Sequence, residues 1–307
     1  MGSIYRFAIL TSVLFFLSSV VHPTVATGRK LSALVQEQPL VLKYHNGLLL
    51  KGNITVNLIW YGTFTPIQRS IIVDFIQSLN FRRATLPSAS LWWKTTEKYK
   101  GGGSSNLVVG KQILHEAYTL GKNLKNIHLV ALAGKINGLN SINVVLTAKD
   151  VAVDGFCLSR CGTHGSRPIS GKARQAYVWV GNSELQCPGQ CAWPFHQPIY
   201  GPQTPPLVAP NGDVGIDGMI INLATVLAGT VTNPFNNGYF QGPATAPLEA
   251  VSACTGKFGS GAYPGYPGQV LADKITGASY NAHGVNGRRF LLPAMWDPQT
   301  SACKPLV

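Results

Sequence analysis

The residues with the most chemical reach are six cysteines, all beyond position 150. Cys157 and Cys161 are separated by three residues, as are Cys187 and Cys191, while Cys254 and Cys303 stand apart. Four clustered thiols at such spacing could form a tetrahedral zinc site. In a secreted chain the same cysteines read instead as a disulfide framework. The reading adopted pairs Cys254 with Cys303 and leaves Cys157, Cys161, Cys187 and Cys191 to bridge among themselves. Among the seven histidines, His115-Glu116 stands in HEAYTL, which has no second histidine one turn on and so is no zinc-peptidase motif. His164 and His196 follow the two cysteine pairs. The loop Trp193-Pro194-Phe195-His196-Gln197-Pro198 could stack a sugar ring or fill a core. Asp150, Asp154, Asp213, Asp217 and Glu249 offer carboxylates for glycoside hydrolysis, but no spacing selects a pair. No Gly-x-Ser-x-Gly elbow occurs. Catalytic, cofactor and metal residues are therefore expected to be none.

The elements that must position these residues follow from hydrophobic periodicity. The longest uncharged stretch runs between Asp217 and Glu249. Its apolar core predicts a buried central helix over 217–229, with Asp217 as N-cap and Gly229 as the C′ residue. At about ten to thirteen residues, that helix falls short of the roughly 20 that span a bilayer. Thr232-Asn233-Pro234 and Asn236-Asn237-Gly238 then turn the chain towards Tyr239-Phe240. Upstream, Val56–Gly62, Asn106–Val109, Ile142–Ala148 and Ala176–Gly181 predict strands. Leu91–Trp93 and Ile127–Ala133 are read as strands too. Thr65-Pro66 opens an amphipathic helix that ends near Leu79. Ile113, Ala117 and Leu120 suggest a short helix closed by Gly121. From about residue 150 glycine and proline multiply. The expected fold is α/β, a mixed sheet with packed helices and a loop-rich, disulfide-tied C-terminal half.

Composition bounds the setting. Residues 1–26 read as a secretory signal peptide: Arg6, an apolar run from Phe7 to Val21, and Thr24-Val25-Ala26 as cleavage site. Residues 27–307 are expected to form one domain, an α/β core with a cysteine-rich cap, with no transmembrane segment in the mature chain. The formal net charge is +13, one unit of it from Arg6. Charged residues are only 12 %, about half the usual share. A dispersed basic surface favours acidic partners, an anionic polysaccharide or an anionic membrane surface. No recognition-helix signature is present, so nucleic acid is not an expected partner. Asn53-Ile54-Thr55 is an N-glycosylation acceptor.

Several segments carry a family resemblance. Gly155-Phe156-Cys157 with Cys161-Gly162, AYVWVGNS at 176–183, CPGQCAWPFHQP at 187–198, the run through the central helix to NPFNNGYFQGP, and GAYPGYPG closely resemble the plant EXORDIUM family, also called the phosphate-induced protein family. The resemblance covers essentially the whole mature chain. It implies a secreted protein of the apoplast and cell wall, tied to brassinosteroid-responsive cell expansion and to carbon or phosphate status. It supplies no catalytic residues. A second resemblance concerns the opening segment, YHNG with VNLIWYG, and the central helix, which looks like the active-site helix of secreted metallopeptidase-like proteins. There the ligand and base positions fall on Thr225, Val226 and Gly229, none of which is suited to that role. The combined reading is a non-enzymatic extracellular protein that binds a wall glycan or protein, with a wall hydrolase as the alternative. Trp193, Phe195, His196, Asn233 and Tyr239 are the expected ligand-binding residues, and no cofactor is implied.

Overall fold

The β-branched and aromatic run beginning at Val56 lies within the strand Gly52–Tyr61, next to the edge of a five-stranded sheet. The computed structural model describes residues 40–307 apart from 101, 102, 159, 172 and 244. The leader expected over 1–26 lies outside the described residues. Leu40–Val307 forms a single unit. Across the sheet the order is Ser105–His115, Gly52–Tyr61, Ser141–Thr147, Ala173–Gly181 and Gly162–Ser170. The first four strands are parallel, and the last pairs antiparallel with Ala173–Gly181. Every residue of Ser141–Thr147 is buried, as expected of a parallel strand covered on both faces.

Helix α1, Pro66–Ser78, begins as the sequence predicts. Thr65 Oγ1 accepts from the Gln68 amide and Gln68 Oε1 accepts from the Thr65 amide, a reciprocal capping box. Ile71, Ile72, Phe75 and Ile76 form its buried stripe. Two segments expected as strands are helices. Leu91–Trp93 belongs to α2, Ala89–Trp93, capped by Ser88 Oγ on the Leu91 amide. Ile127–Ala133 belongs to α3, Asn126–Ala133. Short apolar runs do not distinguish a strand from a helix lying on a sheet. In α3 the His128 ring accepts from the Lys125 amide and closes the first turn. The short helix expected around Ile113–Leu120 does not form. The strand runs on to His115, and Tyr118 and Gly121 turn the chain at positive φ.

The cysteine spacing becomes intelligible at α4, Pro188–Cys191. One helical turn puts Cys187 and Cys191 on the same side. They meet Cys157 and Cys161 respectively, as two parallel bridges, and Cys254 joins Cys303. All six thiols are consumed, so the zinc alternative lapses. The chain-entropy model gives each 30-residue closure a contribution of about 3.5 kcal/mol.

The central helix, α5, is longer than its apolar core suggests: Val214–Thr232. Its N-cap is Asp213, whose Oδ1 accepts from the Ile216 amide at 2.9 Å, not Asp217. Gly229 lies inside the helix, and the cap at the far end is Asn233. By length and composition this segment could cross a bilayer. In the fold it is a core helix, with only Val214, Asn222 and Thr225 not fully buried.

The sheet is covered on both faces. Val144, Val178 and His164 are in register, so their side chains share a face. His164 meets Gly229 of α5. Asn143 points the other way and donates to the carbonyls of Ala133 and Ile136 at the end of α3. Helices α1 and α5 are tied at their N-termini, where Gln68 Nε2 donates to Asp213 Oδ2. Residues beyond α5 are mostly turns and two-stranded pairs, among them Ala282–His283 with Arg289–Phe290.

Candidate functional site

Tryptophan indoles in a folded core usually find an acceptor for N–H. Trp60, Trp92, Trp93 and Trp179 do so here. Trp193 and Trp296 do not: neither indole has a hydrogen-bond partner among the described residues, and of the two only Trp193 is part-exposed. It stands on the wall between two clefts. The first, about 660 Å³, is bordered by Trp193, His196, Thr204, Tyr266 and Gln269, with Pro194, Pro205, Pro206 and Pro267 stiffening its sides. The second, about 310 Å³, runs along the only part-exposed stretch of α5 inside that helix, Asn222 and Thr225, and reaches Arg160 and Ser252. Both volumes fall within or near the range of small-ligand sites.

The chain supplies this trough from three places. Trp193 follows α4, which the paired disulfides pin. Thr204 lies in the irregular run before α5. Tyr266 and Gln269 come from the Gly- and Pro-rich segment 262–270, whose bridges Tyr263 with Tyr266 and Ser260 with Gln269 fold it back on itself. Trp193 packs against Phe258, with ring centroids 5.8 Å apart. Tyr266 and Gln269 were not singled out from the sequence. The density of turn residues there marked a loop, but not which groove it would border.

The expected binding residues separate. Trp193 and His196 border the first cleft. Phe195 is buried with Ala209, Ile221, Phe258 and Leu291. Tyr239 pairs across strands beside Tyr44, with rings stacked at 4.9 Å, and its hydroxyl accepts from the Lys100 amide. Asn233 is fully buried: its Nδ2 donates to Glu249 Oε1 at 2.6 Å and its Oδ1 accepts from the Gly238 amide.

Glu249 is the centre of a polar cluster that sequence reasoning missed. Its Oε2 lies 2.8 Å from His164 Nε2, with side-chain exposures of 8 % for the histidine and 11 % for the glutamate. The pair fits because residue 229 is glycine. A Cβ there would stand 2.5 Å from Glu249 Oε2 and 3.3 Å from His164 Nε2. Gly229 thus serves close approach rather than helix termination. The three peptidase-like positions also diverge in environment: Thr225 and Val226 border the second cleft, while Gly229 faces the His164–Glu249 pair.

Asp150, Asp213 and Asp217 have structural partners, while Asp154 is exposed and its carboxylate makes no hydrogen bond or ion pair among the described residues. Asp150 pairs with Lys122 at 2.7 Å and accepts from the Tyr118 hydroxyl. Burial opposes its ionisation, but those bonds prevail and lower its pKa. Asp213 caps α5. Asp217 is 2 % exposed and accepts from the Asn211 amide and side chain at 2.8 and 2.6 Å. Burial pushes its pKa up to about 7. Neither cleft has an aspartate or glutamate among its described lining residues. His115 ends an edge strand at the opposite side of the sheet from His164, so the three histidines do not converge. Burial, followed by nearby Lys135, lowers the His115 pKa.

Comparison with known proteins decides the family. A family model described as the phosphate-induced protein 1 conserved region matches residues 42–306. The chain belongs to that family. Among relatives, Protein EXORDIUM-like 2 of Arabidopsis thaliana is 70 % identical over the whole length of both chains. Protein PHOSPHATE-INDUCED 1 of Nicotiana tabacum is 62 % identical over 91 % of this chain and 93 % of its own. Protein EXORDIUM of Arabidopsis thaliana is 56 % identical over 97 % and 99 %. No solved structure matches. For this phosphate-induced family member, three disulfides fit an oxidising, extracellular setting.

Proposed function

We propose that this chain is a secreted protein of the apoplast and cell wall that takes part in brassinosteroid-responsive cell expansion by binding a wall glycan without transforming it. Family membership and the disulfide framework support the setting. The observation that carries the binding reading is Trp193: an indole with a free N–H, held by bridged α4 on the wall shared by two clefts. Pyranose rings offer apolar C–H faces to such a surface and hydroxyls to the polar groups around it. The hydrolase alternative would need two carboxylates facing one cleft, and no aspartate or glutamate is among the described lining residues of either cleft.

The test is retention of the secreted protein on wall polysaccharide, compared with Trp193→Ala and with an unrelated protein of equal charge. Loss of a central aromatic contact is expected to weaken binding at least about tenfold. Equal retention of the unrelated protein would reduce the interaction to charge alone.

Asn53 is proposed as a glycosylated position. It lies in the strand Gly52–Tyr61 with its side chain exposed, and Thr55 is exposed beside it while Ile54 points inward. Protein from a eukaryotic secretory host is expected to lose mass on peptide-N-glycosidase treatment, and Asn53→Gln to abolish that shift. An unchanged mass in the treated wild type would leave Asn53 bare.

A further inference from the structure

The net charge of the chain points to an acidic ligand, but the trough does not. The lining of the first cleft contains no lysine, arginine, aspartate or glutamate. The second cleft has one cation, Arg160. Its Nη2 donates to Asn126 Oδ1 at 2.9 Å, its Nη1 to the Asp154 carbonyl, and its Cζ lies 5.3 Å from the Trp179 ring centre, but its Nε–H has no partner among the described residues and its bonds are to neutral oxygens, so the uncharged lining is a property of the first cleft alone. Arginine and lysine side chains instead border a separate cleft of about 150 Å³, where Arg82 and Lys94 lie near Ser90 and Asn106. Cations elsewhere lie over aromatic rings, as Lys100 does over Tyr44 and Lys122 over Tyr118, but none borders the first cleft.

That lining restricts what the first cleft can hold. A uronate chain laid there against Trp193 and Tyr266 would give up carboxylate hydration with no lysine or arginine on the lining to replace it, and an unpaired charge taken from water is strongly disfavoured. A neutral sugar chain gives up nothing comparable. Its ring faces match the aromatic side chains. Its hydroxyls can meet the Trp193 indole N–H and the Gln269 side-chain amide, neither of which has a partner among the described residues. Resting on the glycan-binding reading above, we infer that the first cleft, bordered by Trp193, Tyr266 and Gln269, selects a neutral wall glycan and discriminates against acidic ones, despite the basic surface.

The experiment is calorimetric titration of the intact secreted protein with a cello-oligosaccharide, an oligogalacturonide of equal length and a proline oligopeptide, each at low and high salt. The expected result is Trp193-dependent binding of the cello-oligosaccharide that changes little with salt. Trp193→Ala is expected to weaken it at least about tenfold, and Gln269→Ala several-fold. Gln269→Ala keeps the test open should loss of Trp193 from Phe258 disturb folding, because the exposed Gln269 side chain makes no hydrogen bond among the described residues. Tighter, salt-sensitive binding of the oligogalacturonide that falls with Trp193→Ala or Gln269→Ala would overturn the neutral selectivity and leave the glycan reading standing. Binding of the proline peptide alone, or of no probe in a manner dependent on Trp193 or Gln269, would overturn both.

Discussion

Glu249→Ala is expected to lower the unfolding free energy by about 2–5 kcal/mol, because it leaves two buried polar partners unsatisfied at about 1–3 kcal/mol each. That is a large share of the about 5–15 kcal/mol that typically holds a domain together. The effect is large because one side chain serves two others. Glu249 Oε1 accepts from Asn233 and Oε2 meets His164. Asn233 caps the end of α5 and, through its Oδ1, fixes the Gly238 amide in the exit loop. Removing the carboxylate therefore leaves buried polar groups unpaired on both the sheet and the helix. Glu249→Gln retains an acceptor for Asn233 and is expected to lose less, about 1–3 kcal/mol. Equilibrium denaturation with the disulfides intact would read both values, with a lower midpoint and an unchanged slope. If Glu249→Ala loses less than Glu249→Gln, the cluster is not the anchor described.

Asp217 gives the second large effect, and its sign is opposite to the usual carboxylate. Its folded pKa is about 7, against about 3.9 for an unfolded aspartate. Between those values the native state holds a proton that the unfolded state has released, so stability falls as pH rises. The pKa gap of about 3 corresponds to roughly 4 kcal/mol between about pH 4 and pH 7. Asp297 acts in the lower window. Burial alone would raise its pKa, but bonds from Lys304 and Lys98 outweigh burial and bring it to about 2. Its contribution is present above about pH 4 and is lost as pH falls towards 2. The two residues together place maximal stability near pH 4–5, in mildly acidic conditions. Denaturant midpoints measured from pH 3 to pH 8 are expected to peak there, and Asp217→Asn to flatten the descent above pH 5. A wild-type midpoint that rises steadily to pH 8 would show Asp217 ionised in the folded state.

The legible part of the fold was the part whose signal is local. The Thr65-Pro66-x-Gln68 start, the Ile71-Ile72-Phe75-Ile76 stripe and the strands at Val56, Ile142 and Ala176 are set by capping and by periods of 3.6 and 2 residues. The misread elements were short. Leu91–Trp93 and Ile127–Ala133 are each too brief to show a period, and contact with the sheet and the rest of the core holds them as helices. On α5 the apolar run located the helix, but its ends depended on distant partners. Asp213 takes the cap while Asn211 engages Asp217, and Glu249 occupies the space that glycine leaves at 229.

The same division holds for the site. By itself the sequence determined the α/β class, the six bridging cysteines, the family and Trp193 as a candidate, because composition, cysteine number and motif spacing are one-dimensional properties. Only the tertiary structure decided which cysteines pair, that Phe195 and Asn233 are buried while Trp193 and His196 border a cleft, and that Tyr266 and Gln269 join them. It also decided that the positive charge of the chain stays out of that cleft. Each of these depends on which residues far apart in the chain come within a few ångströms, and net charge, a sum over the whole chain, carries no information on where the charges lie.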